Sequence, residues 1–236
     1  MNNHSKVMQE HGKSFFWASW FLDKNTANKL FTVYALCRRL DDLVDTSNEN
    51  SEAKEEIARV ISLTNNNQYK ETFEEFKRID SKLHPRQDII IEFLKGQLSD
   101  LDFRQPNDLG QLLKYCYRVA GVVGLMICDV LDIRDSKLRY FAIDFGIAMQ
   151  LTNICRDIKE DAQIGRIYLP KNETASLAIG NFKSPSNTDL IIINSSRDKL
   201  IKLADEYYQS GLYGINQLPI KIKRSFRVAS NIYQGI

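Results

Sequence analysis

The stretch Gln150-Leu-Thr-Asn-Ile-Cys-Arg-Asp-Ile-Lys-Glu-Asp161 is the one on which the fold turns. At 100° per residue, Gln150, Asn153, Asp157 and Asp161 fall at about 0°, 300°, 340° and 20°, so four polar side chains share one stripe of a helix. The segment just before it, Tyr140-Phe-Ala-Ile-Asp-Phe-Gly-Ile-Ala-Met149, is apolar enough to be buried. Carboxylates in such a setting are costly unless they are paired or bound to metal. A second stripe matches the first. Tyr34, Arg38, Asp41 and Asp45 are spaced 4, 3 and 4, and they emerge from the apolar run Leu30-Phe-Thr-Val-Tyr-Ala-Leu-Cys37. If the two helices face each other across a cavity, four carboxylates converge on it. The natural occupant is then a hard divalent cation with a phosphate-bearing substrate.

A single DxxxD in a helix is most often a solvated surface pair. Two aspartates at i and i+4 have Cβ atoms roughly 5 to 6 Å apart, close enough to share a cation and mildly destabilising without one. Two copies, each after an apolar run and each with a polar partner upstream, favour the metal reading over the surface one. Mg²⁺ held by one or two carboxylates and completed by phosphate oxygens is the expected arrangement, with Mn²⁺ as an alternative. Arg38, Arg39, Arg156 and Arg166 stand near the aspartates in sequence and suit charge-assisted bonds to phosphate. Salt bridges to the aspartates are the plainer role for these arginines. No GxGxxG, GxxxxGK[ST] or HExxH occurs, and His4, His11 and His84 are isolated, so nicotinamide and zinc sites have no support.

The 236 residues are 43% hydrophobic, enough for a substantial core, and only 11 Gly and 5 Pro punctuate them. Helical spacing dominates, so the expected class is all-α, with a flexible entry over residues 1–12 and one domain over 13–236. The expected helices run from about Lys24 to Asp45, Glu52 to Leu63, Arg86 to Asp102, and through Leu112–Ala120 after a cap at Asn107 or Asp108. Phe73, Phe76 and Ile79 make a further helical face. The helix through Gln150 should end near Ala162, before a turn at Gly165; residues 171–196 read as a loop plus a helix start, and two more helices follow. Gly121 and Gly124 interrupt an apolar helix, which implies that something approaches the backbone closely or that the helix bends, with tight helix packing as the plainer alternative. A net charge of +2 with mixed signs argues against a nucleic-acid partner. Cys37, Cys116, Cys128 and Cys155 lack CxxC spacing and read as reduced thiols. With no apolar run of about 18 residues, a soluble cytoplasmic protein is expected, with at most a peripheral contact to the inner membrane.

Three blocks, Tyr34-Ala-Leu-Cys-Arg-Arg-Leu-Asp-Asp-Leu-Val-Asp45, Tyr115-Cys-Tyr-Arg-Val-Ala-Gly-Val-Val-Gly124 and Asn153 through Arg166-Ile-Tyr-Leu-Pro170, resemble the squalene/phytoene synthase family in order and spacing. Bacterial phytoene synthases look most similar. The resemblance implies an isoprenoid synthase fold, helices around a central cavity, and head-to-head joining of two prenyl diphosphates. It also implies that Asp41, Asp45, Asn153, Asp157 and Asp161 hold Mg²⁺ on the diphosphates. Arg38 and Arg156 match phosphate-contacting positions, Ser14 a hydroxyl near the diphosphate, and Tyr213 and Arg224 a looser C-terminal pair. Tyr34, Tyr115 and Gln150 match residues near a cyclopropylcarbinyl intermediate, where aromatic faces and an amide stabilise cationic character. The family often reads His-Ser-Lys-Ser-Phe where this chain has His11-Gly-Lys-Ser-Phe15, so one hydroxyl is missing.

Two C20 diphosphates giving phytoene without NADPH is the expected reaction, with squalene or dehydrosqualene from C15 diphosphate as the alternative. Asp41-Asp-Leu-Val-Asp45 also satisfies the DDxxD of head-to-tail synthases and terpene cyclases, but NxxxDxxxD running into GRIYLP is unlike their second motif. A non-catalytic assembly factor is the reading from another class, and retention of all four aspartates weighs against it.

Overall fold

The computed structural model describes residues 19–46, 50–65 and 79–235, without the side chains of 19, 43–46 and 50. The expected flexible entry, Ser14, the Phe73 and Phe76 face and the Asp45 side chain lie outside the described residues. Every regular element among those described is helical. Helix α1 (Lys24–Thr46) starts where Asp23 accepts from the Thr26 backbone N–H and hydroxyl, at 3.0 and 2.8 Å. Helices α2 (Asn50–Asn65) and α3 (Gln87–Leu101) follow. Asp108 caps α4 (Leu109–Cys116) by accepting from Gln111 N at 2.9 Å. A π turn over Tyr117–Gly121 then leads into α5 (Val122–Val130). Helices α6 (Ser136–Arg156), α7 (Ile158–Gln163), α8 (Lys171–Thr174), α9 (Ile179–Lys183), α10 (Asn187–Ile215) and α11 (Ile220–Gln234) complete the described chain.

Two apolar clusters hold these helices. Leu36, Leu40, Ile57, Phe93 and Met126 centre the one that joins α1, α2, α3 and α5. Leu112, Phe145, Leu151, Leu200 and Tyr208 centre the other, between α4, α6 and α10. Tyr117 and Ile143 pack against both. Helices α6 and α10 form the longest interface, and small residues bring them together. A methyl placed at Gly214 would fall 2.3 Å from Phe141 Cβ, and one at Gly124 would fall 2.3 Å from the carbonyl oxygen of Ala142. Gly124 therefore serves close helix packing, the plainer of the roles its position allowed. Asp129, fully buried where α5 ends, accepts from Arg139 Nη1 at 2.6 Å and from Arg86 N at 2.9 Å. That pairing satisfies a charge that would be costly alone, and it ties the starts of α3 and α6 to the end of α5.

Two sequence expectations need correction. Residues 171–196 are not chiefly loop, because they hold α8, α9 and the start of α10. Ser186 and Asp189 form a reciprocal capping box, with Ser186 Oγ accepting from Asp189 N at 3.2 Å and Asp189 Oδ2 accepting from Ser186 N at 2.9 Å, so α10 begins at Asn187. The helix through Gln150 does not run unbroken to Ala162 but bends at Asp157, where φ is −99° and ψ 18°. The regular ladder is interrupted there, stopping at Arg156 and restarting at Ile158, although Asp157 N donates to Asn153 O at 2.9 Å and Asp161 N to Asp157 O at 2.8 Å. Gly165, at φ 86°, supplies the left-handed residue that ends α7.

Candidate active site

Helices α1, α5, α6, α10 and α11 enclose a cavity of about 240 Å³. One face of α6 lines its whole length through Leu138, Phe141, Phe145, Met149, Gln150 and Asn153. Fifteen steps from 138 to 153 at 1.5 Å each make that face about 22 Å long. Leu131, Ile133 and Leu218 join Leu138 at the apolar end, while Tyr34 from α1 and Tyr233 from α11 join Gln150 and Asn153 at the polar mouth. Two helices carrying the two stripes thus border one cavity, as their spacing predicts. Burial pushes the Tyr34 hydroxyl up to about 12, against the pull of Arg38, so it stays protonated.

Beyond the mouth the charged side chains cluster. Arg38 Nη2 pairs with Asp42 at 2.6 Å, and Arg156 grips Asp157 with two bonds of 2.6 Å. Salt bridging to aspartates is therefore the state of both arginines here. Asp161 is pushed up to about 6 by burial first and then by the Asp157 charge, with Arg166 opposing. Asp41 accepts from Gln97 Nε2 at 2.8 Å. Asn153 Nδ2 approaches Gln150 Oε1 at 3.5 Å, while Asn153 Oδ1 is buried without a hydrogen-bond partner, as is Arg38 Nε.

Among the described residues no three His, Cys, Asp or Glu side chains meet closely enough to hold a metal by themselves. The donor set still suits Mg²⁺, which keeps waters and takes phosphate oxygens beside one or two carboxylates. Asp157 and Asp161, a raised carboxylate beside a like charge, together with the unfilled oxygen of Asn153, are the groups present to hold such an ion.

Three residues sit elsewhere than expected. Tyr115 does not line the cavity; its ring stacks on Tyr168 at 4.9 Å and its hydroxyl donates to Asp100 Oδ2 at 3.1 Å. Tyr213, 64% exposed, packs edge-on against Phe141 at 5.3 Å, near the apolar end and about 18 Å along α6 from Asn153. Arg224 is exposed on α11, two and a half turns before Tyr233. Helix geometry places this pair away from the acidic mouth. Conversely, Tyr233, Gln97 and Asp100 belong to the site's surroundings and carried no motif; only the seven-residue spacing of Phe226 and Tyr233, both cavity-lining, hinted at the first.

These features define a class of protein, an all-α fold with an apolar cavity behind a mouth of carboxylates and arginines. The sequence profile of the squalene/phytoene synthase family matches residues 8–236, and the chain belongs to that family, whose members are prenyltransferases. It is 30% identical to the 15-cis-phytoene synthase of Pantoea ananas over 251 aligned positions, covering 100% of this chain and 81% of that one. With the 15-cis-phytoene synthase of Enterobacter agglomerans it shares 32% identity, covering 97% and 82%. A dehydrosqualene synthase solved with a ligand superposes with a TM-score of 0.80 at 31% identity, covering 98% and 82%. The squalene synthase of Alicyclobacillus acidocaldarius shares the fold, with a TM-score of 0.81, 16% identity and coverage of 98% and 89%. The isoprenoid synthase architecture expected from the sequence is thus the one observed.

Proposed function

We propose that the chain joins two C20 prenyl diphosphates head to head and releases phytoene by proton loss, without NADPH. The length of the lining face of α6 carries this reading. An extended chain advances roughly 1.2 Å per bond on the peptide scale, which puts a C20 prenyl tail near 18 Å and a C15 tail near 13 Å. The face of about 22 Å seats the longer tail with its diphosphate at Asn153 and its tip at Leu138. The phytoene synthases among the relatives support the same choice.

In this scheme Asp41, Asp45, Asn153, Asp157 and Asp161 hold the cations, and Arg38 and Arg156 exchange their aspartate partners for phosphate oxygens. Mg²⁺, or Mn²⁺ in its stead, supplies Lewis-acid neutralisation of the departing diphosphates. Ser14 adds a hydroxyl to the same phosphates. Departure of the first diphosphate leaves an allylic cation; attack of the second tail's double bond on it, with loss of a proton as the ring closes, gives a cyclopropylcarbinyl diphosphate, and departure of the second diphosphate, rearrangement and a further proton loss give phytoene. Tyr34 offers its ring face and Gln150 its amide oxygen to the cationic carbons. The apolar walls keep water from them. Hydrocarbon then leaves toward a membrane surface, for which the outer face of α11, with Ile220, Lys221, Arg224, Arg227 and Ile232 exposed, is suited.

A second reading, C15 diphosphate to dehydrosqualene, draws on the 31% identity to a dehydrosqualene synthase. Incubation with C15 or C20 diphosphate and Mg²⁺, with and without NADPH, followed by identification of the hydrocarbon, tests both. Clear preference for C15, or squalene formed only with NADPH, would overturn the C20 assignment.

A further inference from the structure

Helix α3 carries no motif, yet it touches the surroundings of both acidic stripes. Gln97 is 4% exposed and donates to Asp41 Oδ1 at 2.8 Å. One turn further, Asp100 accepts from Tyr115 OH at 3.1 Å and from Tyr168 OH at 3.0 Å, and its backbone carbonyl accepts from Arg166 Nη2 at 3.3 Å. Tyr168 and Arg166 lie on the strand of chain that leaves α7 just after Asp161. Two contacts three residues apart on one helix are held at a fixed separation of roughly 5 to 6 Å.

The helix itself has little freedom to slide. Ile89, Ile90, Phe93 and Leu94 are buried in the first core cluster, and Gly96 lies against α4–α5, where a methyl would come within 2.9 Å of Val119 Cγ1. A buried amide is also an expensive way to fill space, since an apolar side chain of the same length would pack there without desolvation. What Gln97 provides that such a side chain lacks is a donor aimed at one oxygen of Asp41.

We propose that α3 is a spacer that sets the distance between the two acidic stripes, with Gln97 as a positioning residue for Asp41 and Asp100 as its counterpart on the Asp161 side. The inference rests on the reading of those aspartates as a cation and diphosphate site. Ligands for such a site must be held within about 0.5 Å of their working positions, and flexible carboxylates achieve this only when a second group fixes them.

The test is calorimetric binding of Mg²⁺ with inorganic pyrophosphate to the full chain, alongside its melting temperature. Gln97→Met keeps length and volume but removes the donor. It is expected to weaken binding by about tenfold while the melting temperature stays at or above that of the parent. Asp100→Asn, which keeps shape and one acceptor, is expected to give a smaller loss in the same direction. In both variants the Mg²⁺ concentration for half-maximal turnover should rise more than kcat falls. Binding unchanged within about twofold in Gln97→Met overturns the spacer role, as does a Gln97→Met chain that fails to fold, since Gln97 is then a structural residue. Failure of the parent chain to bind Mg²⁺ with pyrophosphate would instead remove the reading of the site on which the proposal stands.

Discussion

Gly124→Ala should destabilise the protein, although the same change in an exposed helix would stabilise it. Alanine gains about 1 kcal/mol over glycine in a helix interior through propensity alone. At Gly124, however, the new methyl meets the Ala142 carbonyl oxygen at 2.3 Å and its carbon at 2.8 Å. Both are backbone atoms of α6, so no rotamer change relieves the overlap, and α5 and α6 must separate by close to 1 Å. Overpacking of this kind costs typically 1 to 3 kcal/mol, and a rigid neighbour puts the cost at or above the upper end. Against the propensity gain, the net loss is about 2 kcal/mol, which for a chain of this size lowers Tm by about 4 to 8 °C. Gly180→Ala is the internal control, because Gly180 has no atom within 4 Å and no positive φ; it should hold or raise Tm. Denaturant titration and calorimetry of both variants read the result. A Gly124→Ala protein as stable as the parent would refute the close approach of α5 and α6 on which the cavity wall depends.

Asp157→Asn or Asp161→Asn should abolish turnover with the fold retained, since each removes a charge from a site that binds through charge; unchanged activity at ordinary Mg²⁺ would contradict the assignment. Asp161 also makes a pH prediction. Its folded value is raised from 3.8 to about 6, so its contribution to stability is fully present below the unfolded value and is lost as pH rises through about 6. Without cations, the fall in Tm between pH 4 and 6 should therefore be shallower in Asp161→Asn, and parallel curves would count against it. Leu138→Trp should fill the apolar end of the cavity and shift preference from C20 toward C15 diphosphate in a competition assay, whereas an unchanged product ratio would place the chain tip elsewhere.

Much of the site was legible because its determinants are local. Tyr34, Arg38 and Asp41 on α1, and Gln150, Asn153 and Asp157 at the end of α6, stand at helical spacing, and the bond from Asp161 N to Asp157 O sets the last pair across the bend. What stayed hidden depends on partners distant in sequence. Gln97 and Asp41 are 56 residues apart, and Asp100 and Tyr168 are 68 apart, so no window along the chain joins them. Tyr115 and Tyr213 show that a residue type at a matching position says nothing about which way its ring points; one stacks on Tyr168 and the other is exposed. Helices α8 and α9 escaped notice for another reason: with four and five residues, neither is long enough to show an apolar period.

The π turn over Tyr117–Gly121 lets the molecule carry one residue more than a regular helix would hold at that place. Such a turn winds its extra residue through nearly the rotation that four residues make in an α turn, so deleting one of the five would restore regular helix with α4 and α5 close to their present phase. Tyr115 would keep its place on Tyr168 and Gly124 its place against Ala142, while Val119 and Ala120, which line the cavity from this turn, would be redistributed. A one-residue length change accepted here during the divergence of this chain should therefore leave the helix packing standing and be felt in the shape of the cavity wall.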